Sequence, residues 1–344
     1  LKGTLMPLRS LLILLLAACS SLACRSGRLT FYFLDMVGGG STLIVTPIGE
    51  SLLIDTGSLE PQGRDDGRIL QACRDAGLQR IDHLITTHFH SDHFGALWPV
   101  VQQIAVKNFY DKGSPGPEQE QRSERFRTLY PLYQQATGGR AHTLRLGDVI
   151  PLQDQRIELR VVAAEKKVLG FCGDIDAAAP GFEPAPPDHS DNGRSIALLL
   201  AWGDFRCFLG GDITRNVEYH LVSPVNQLGQ VDLYQVTHHG LDLSNHPELI
   251  RAIQPVVAVV MNGPQKGPGP QTFAALQSQA SLQGLYQLHY NTQHGDKGNA
   301  PMAAIANPTG DGPGNYVRVT VDEKAKEMSV QIGAHGKVVR HPFN

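Results

Sequence analysis

The sequence predicts a layered α/β protein. Short β-rich runs alternate with helical patterns from Leu29 onward, and the first three runs follow closely enough to pair as a meander. A buried strand further on carries a dense histidine cluster at its carboxyl end, where α/β proteins place their sites. At 344 residues the chain can bury a full-sized core, and it holds no repeat at a fixed period.

Taken in order, "LTFYFLDM", "STLIVTP" and "SLLIDTG" are strands separated by "VGGG" and "IGE" turns. "DDGRILQACRDAGL" is a helix with Ile69, Leu70, Cys73 and Leu78 on one stripe and Gly77 near its end. "IDHLITTH" is a buried strand running into the histidines, "GALWPVVQQI" a short helix behind it and "VKNFYD" another strand. Residues 113–139 form a loop and a helical insertion. Strands return in "VIPL", "RIELRVVA", "SIALLLAW" and "FRCFLGGD", interrupted by the Pro- and Ala-rich loop "DAAAPGFEPAPPDHSDNG". A helix over 214–221, the strand "VDLYQVTHHG", the helix "HPELIRAI", the strand "VVAVVMN", the loop "GPQKGPGP" and a helix over 271–279 complete the pattern.

Hydrophobic content of 41%, charged content of 18% and a net charge of -3 describe an ordinary globular chain without a broad polyanion-binding face. No basic stripe with interleaved aromatics gives a nucleic-acid signal, and "RSERFR" serves equally as a solvated helix face. The N-terminus departs from this. Arg9 precedes an apolar run from Leu11 to Ala18 that ends in small residues and Cys19, the pattern of a secretory signal over residues 1–24. "LAAC" resembles the lipobox of bacterial lipoproteins, with cleavage before Cys19; ordinary cleavage after Ala18 or Ala23 is the alternative. The protein is therefore expected to be exported, periplasmic or anchored to the membrane only through an N-terminal lipid. Cys73, Cys172 and Cys207 form no CxxC pair, which excludes a zinc ribbon, and no disulfide is expected.

Residues 87–95 read "THFHSDHFG", crowding His88, His90, Asp92 and His93 into six positions. Such density is poor core material and unusual surface decoration; a metal ion accounts for it. His88 and His90 stand two apart at a strand end, so both imidazoles emerge on one side and can share an ion, while Asp92 and His93, past the turn, address a second. Nitrogen ligands with a carboxylate favour zinc; manganese or iron is also compatible with these residue types.

The pattern THxHxDH is the signature of the metallo-β-lactamase superfamily, which this chain resembles from about Leu29 to Met261. It looks most like the branch that includes the extracellular domain of the ComEC DNA-uptake protein and the phosphorylcholine esterases, through "FYFLDMVGGGSTLIVTPIGESLLIDTG", "SIALLLAWGDFRCFLGGDI" and "VTHHGLDLSNHPEL". The resemblance implies a four-layer αββα sandwich with its catalytic core over 28–262, and with 263–344 as the C-terminal completion of the fold and tail. It also implies two divalent ions. Asp55 in "LIDTG" would orient a ligand imidazole, Asp212 in "GGDI" would bridge the ions, and His239 would complete the second. His238 would then contact substrate or act as an acid, although the roles of the two histidines can be exchanged. One departure stands out: after "RIELRVVA", where many members carry a PGHTPG-like turn with a ligand histidine, this chain reads "AEKKVLG". His189, Asn192 and Ser195 in "DHSDNGRS" are the candidates to approach the first ion or the substrate there.

The implied reaction is hydrolysis by a hydroxide generated between the two ions, with Asp92 orienting it and His238 assisting the leaving group. Phosphodiesters or other phosphoesters are the favoured substrates. Carboxylic esters, lactones or β-lactams are the alternative for the same site, and a binding lipoprotein without turnover is a third.

Overall fold

The computed structural model describes residues 27–178, 181–310 and 312–344, so the signal sequence and Cys19 lie outside the described residues. Strands β1 (Leu29–Phe33), β2 (Thr42–Val45) and β3 (Ser51–Ile54) form an antiparallel meander, which β4 (Arg80–Ile85), β5 (Ala105–Asp111) and β6 (His142–Thr143) extend in parallel. The chain then builds a second sheet from β7 (Ile157–Ala164), β8 (Lys167–Val168), β9 (Ala197–Trp202), β10 (Phe205–Leu209), β11 (Leu233–Val236), β12 (Val257–Val260), β13 (Gly284–His289) and β14 (Ile305–Asn307). Finally β15 (Val317–Asp322), β16 (Glu327–Ile332) and β17 (Val338–Pro342) return to the first sheet, where β15 pairs antiparallel with β1. The sheet orders are β17-β16-β15-β1-β2-β3-β4-β5-β6 and β14-β13-β12-β11-β10-β9-β7-β8.

Helices cover the outer face of each sheet. They are α1 (Arg64–Asp75), α2 (Ser91–Phe94), α3 (Leu97–Val101), α4 (Glu118–Gln121) and α5 (Glu124–Thr137) on the first, and α6 (Arg215–Val222), α7 (Pro247–Ile253) and α8 (Pro270–Gln277) on the second. The period-2 alternation of strand side chains sorts the apolar residues into three cores. Phe31 and Phe33 of β1 face the other sheet and pack with Leu159, Leu198 and Val319, whereas Tyr32 faces the helices with Leu43, Ile69 and Val100. In β10, Cys207 and Leu209 join the inter-sheet core while Phe208 meets Val217, Leu221 and Ile250 of the second helical layer. The result is the four-layer αββα sandwich. Each fully buried side chain of this size contributes roughly 1.5–3 kcal/mol.

Several elements differ from expectation: the strand read through Gly240 stops at Val236 and yields to a 3-10 turn over Thr237–Gly240, and three further cases have a clear local cause. The strand read through His88 stops at Ile85, leaving residues 86–90 as a loop. "VIPL" makes only an isolated bridge, Val149 to Arg160, because Pro151 has no N–H to give a ladder. The first helix ends at Asp75 rather than Leu78: Gly77 takes φ 68°, and the N–H groups of Gly77 and Leu78 donate to the carbonyls of Arg74 and Cys73, closing the helix with a Schellman motif.

Candidate metal centre

Two of the parallel strand pairs, β3 with β4 and β10 with β11, end at the same edge of the facing sheets, and the candidate ligands lie just beyond those ends. Asp55 follows β3, residues 86–90 and α2 follow β4, Asp212 follows β10, and a 3-10 turn over Thr237–Gly240 follows β11. The backbone there is held in unusual shapes: Asp55 has φ 60°, His238 φ 52° and His239 φ 55°. Left-handed φ in non-glycine residues costs about 1–3 kcal/mol each and persists only where the surroundings enforce it. The Asn245 side-chain amide does so at the tandem histidines, donating to the carbonyls of Thr237 (2.9 Å) and Leu241 (3.1 Å). Gly40 passes so close to His93 that a Cβ would stand 2.7 Å from its ring.

The hydrogen bonds assign the tautomer of four buried imidazoles. Thr87 donates its hydroxyl to Asp55 Oδ2 (2.7 Å), so its oxygen accepts from His88 Nδ1 (3.1 Å). His93 Nδ1 donates to Asp55 Oδ2 (2.8 Å), and His239 Nδ1 to the Met261 carbonyl (3.1 Å). Ser244 gives its proton to the Ile213 carbonyl (2.7 Å) and therefore accepts from His238 Nδ1 (2.9 Å). When neutral, all four rings thus present their Nε2 lone pair, and the four Nε2 atoms converge on Asp212 Oδ2 at 3.2 Å (His93), 3.3 Å (His239), 3.6 Å (His238) and 3.9 Å (His88).

This donor set fits cations. His88 Nε2 is buried with no hydrogen-bond partner, a costly state for a polar atom unless an ion takes its lone pair. His93 Nε2 and His239 Nε2 face each other at 3.2 Å, where either a shared proton or a cation lying against both relieves the repulsion of two lone pairs. Asp92 Oδ2 stands 3.7 Å from His239 Nε2 and 4.0 Å from His93 Nε2. The ligand atoms of His88, His93 and Asp212, and those of Asp92, His93 and His239, form two groups each within 4.8 Å. Burial opposes the charge on Asp212, but His93, His239 and His238 hold its carboxyl well below the usual range. Burial likewise opposes protonation of His93, yet Asp212 and Asp55 hold it well above its ordinary value, so positive charge is favoured at that spot.

The other anticipated residues divide. His90 is next to His88, ring centroids 4.7 Å apart, but not by strand alternation, since both lie in the loop beyond β4. Its Nε2 faces Glu120 Oε1 at 3.2 Å. Asn192 Nδ2 comes within 3.4 Å of His238 Nε2. Ser195 is fully buried and its oxygen accepts the Asp212 N–H (3.3 Å), which places it behind the carboxylate rather than toward a substrate. His189 is exposed and is not drawn into the cluster. An acid role for His238 needs a proton on Nε2, where this tautomer leaves a lone pair; burial, outweighing Asp212, brings its pKa to about 4.

Sequence reasoning missed three groups. Lys266, in the "GPQKGPGP" loop, places Nζ 2.6 Å from Asp92 Oδ2. Lys112, fully buried, bridges Asp191 (2.9 Å) and Glu165 (3.0 Å), while Asp191 accepts the Phe89 N–H (2.8 Å), tying the histidine loop to the loop that carries Asn192. Glu120 comes from α4. A lone Lys or Glu in a loop has no spacing rule to reveal it, although a lysine among glycines and prolines beyond a strand end was the available signal. A cleft of about 380 Å³ opens beside His238 and is lined by Asn192, Thr214, Arg215 and Asp242. A hollow of about 220 Å³ lies on the other flank, against His90, Asp92, Glu120, Phe94 and Arg125.

Residues 35–261 match the Metallo-beta-lactamase superfamily, and the chain belongs to it. Members typically bind two metal ions. The chain is 24% identical over 188 residues to ComE operon protein 3 of Bacillus subtilis (strain 168), a match that takes in 54% of this chain and only 20% of that protein. Among solved structures it is similar to Tm1679, a metal-dependent hydrolase of the β-lactamase superfamily, with TM-score 0.44, 12% identity and coverage of 75% of this chain and 95% of that one. It is also similar to CmlA, a diiron β-hydroxylase from Streptomyces venezuelae, with TM-score 0.39, 16% identity and coverage of 78% and 48%. Likenesses at this level carry no information on substrate.

Proposed function

We propose that the protein is a metal-dependent hydrolase of phosphoesters, phosphodiesters foremost, and that the ions are zinc. When bound, two divalent ions lower the pKa of water and polarise an ester oxygen. The chain's own residues do the rest. Asp92, His93, His239 and Asp212 hold one ion, and His88, His90 and Asp212 the other, while Asp55 fixes the tautomer of His93 and, through Thr87, that of His88. His238 is neutral through the physiological range, and its Nε2 accepts a hydrogen bond from water or substrate and so orients it.

The observation that carries the phosphoester reading is the cleft beside His238, which Asn192 and Arg215 line together with Asp188 and Asp242, although the Arg215 guanidinium also donates to the Ser244 carbonyl and to Gln271. Lys266 supplies a further positive charge at Asp92. Several donors spread around one centre suit a transition state whose charge is shared by several phosphoryl oxygens better than one with a single oxyanion. The test is a side-by-side assay of zinc-loaded protein on a chromogenic phosphodiester, a phosphomonoester, a lactone and a β-lactam, with His88→Ala as the contamination control. Turnover of the phosphodiester well above that control is expected. Higher kcat/KM on the carbonyl substrates, with no phosphodiester signal above the control, replaces this assignment by carbonyl hydrolysis.

A further inference from the structure

The ion held by His88 and His90 lacks the histidine that the β7–β8 turn supplies in many members of the superfamily. That turn, Glu165–Lys166, cannot substitute for it: the Glu165 carboxylate is engaged by Lys112 (3.0 Å) and Arg194 (2.5 Å). We infer that Glu120, on the insertion between β5 and β6, is the missing protein ligand of this ion. The inference rests on the two-ion centre proposed above and goes beyond it in assigning a ligand from outside the superfamily motifs.

Three observations converge on Glu120. First, its Oε1 stands 3.2 Å from His90 Nε2. Two donor atoms each about 2.0–2.2 Å from one tetrahedral ion stand roughly 3.4 Å apart, so the pair already has the spacing of neighbours on one ion. Second, the lone pair of His88 Nε2, one ring away, is buried and unpartnered; its atom gathers within 4.8 Å with those of His93 and Asp212 and not with His90 and Glu120, so ligation by the His90–Glu120 pair requires their side chains to close on it when the ion binds. Third, Glu120 is held there by the body of the protein. The Asp191 N–H donates to both of its oxygens (3.2 Å each), and Asp191 is itself fixed by the buried Lys112 and by the Phe89 N–H. The next residue along, Asn192, brings its amide to His238. His90, Glu120, the 191–192 turn and His238 are therefore joined in one run of contacts beside His88. The Glu120 side chain is 30% exposed, as befits a ligand at the mouth of the site.

The alternative is that Glu120 only accepts a hydrogen bond from His90, and glutamine would serve that purpose. The full chain is stripped with a chelator, reloaded from zinc-buffered solution and assayed by elemental analysis; cobalt(II) absorption of the same variants reports the coordination. Wild type is expected to hold two ions. Glu120→Gln and Glu120→Ala are expected to keep one and to lose the second or bind it at least 10-fold more weakly, with thermal melts of the metal-free proteins unchanged. Glu120→His, which restores a nitrogen donor, is expected to recover the second ion. If Glu120→Gln holds two ions at wild-type affinity, Glu120 is not a ligand and the two-ion reading survives. If wild type holds no ion, both fall together.

Discussion

Asp55 shows how much a single carboxylate arranges at the residue scale. It accepts from the Thr87 amide and hydroxyl and from His93, and through that hydroxyl it also sets the tautomer of His88. Lys266 acts at the opposite rim, where its ammonium neutralises Asp92. Burial opposes charge on Asp92, and His93 and Lys266 more than offset it, holding the carboxyl far below its usual range. In the proposed two-ion centre an ion would neutralise Asp92, which would free the lysine to face the proposed phosphoester. Lys266→Ala is therefore expected to keep both ions and to lower kcat/KM on the phosphodiester about 10- to 100-fold, a change of about 1.4–2.7 kcal/mol, with partial recovery in Lys266→Arg. Loss of an ion in Lys266→Ala, read by elemental analysis, would instead make the lysine a support of Asp92 as ligand. The THxHxDH residues were legible because four chemically rare side chains sit in six positions. Asp212 and the tandem histidines are legible only through the order of motifs, Lys266 only as a lysine in a glycine- and proline-rich loop that could rim the cleft, and Glu120 not at all, since only folding brings it to His90.

At the scale of elements, the strained turn over Thr237–Gly240 leans on α6. Glu218 of that helix is fully buried, accepts the His246 N–H at 2.7 Å and leaves its other oxygen without a partner. Burial pushes its pKa up from 4.5 to about 7 against those hydrogen bonds. A carboxyl whose folded pKa lies above its unfolded value favours the fold when protonated. Its contribution is complete below about pH 4.5 and is lost as pH rises through about 7. Glu218→Gln is expected to lose less Tm than wild type between pH 5 and pH 8; parallel Tm–pH curves would show that Glu218 does not titrate there. The alternating apolar runs made β1 to β5 readable. The sequence does not separate β13 to β17, because residues 280–344 mix short apolar pairs with many polar and turn residues and offer no long run. β4 was read too long because "TT" continues a β-branched pattern that the chain abandons in order to turn His88 inward.

For the whole molecule, the decisive feature is that two sheets built by different parts of the chain deliver their carboxyl ends to one point. Residues 55–93 come from the first sheet and residues 212–239 from the second, and the inter-sheet core of Phe31, Phe33, Leu159 and Leu198 fixes their separation. Asp212 sits where the two sets meet, with four imidazole Nε2 atoms around one carboxylate oxygen. Anomalous diffraction at the zinc edge from crystals of the zinc-loaded protein tests that claim most directly. Two peaks about 3.5–4 Å apart, flanking the Asp212 carboxylate and both weakened or lost in Asp212→Ala, are predicted. No peak within the histidine cluster, or two undiminished peaks in Asp212→Ala, would contradict it.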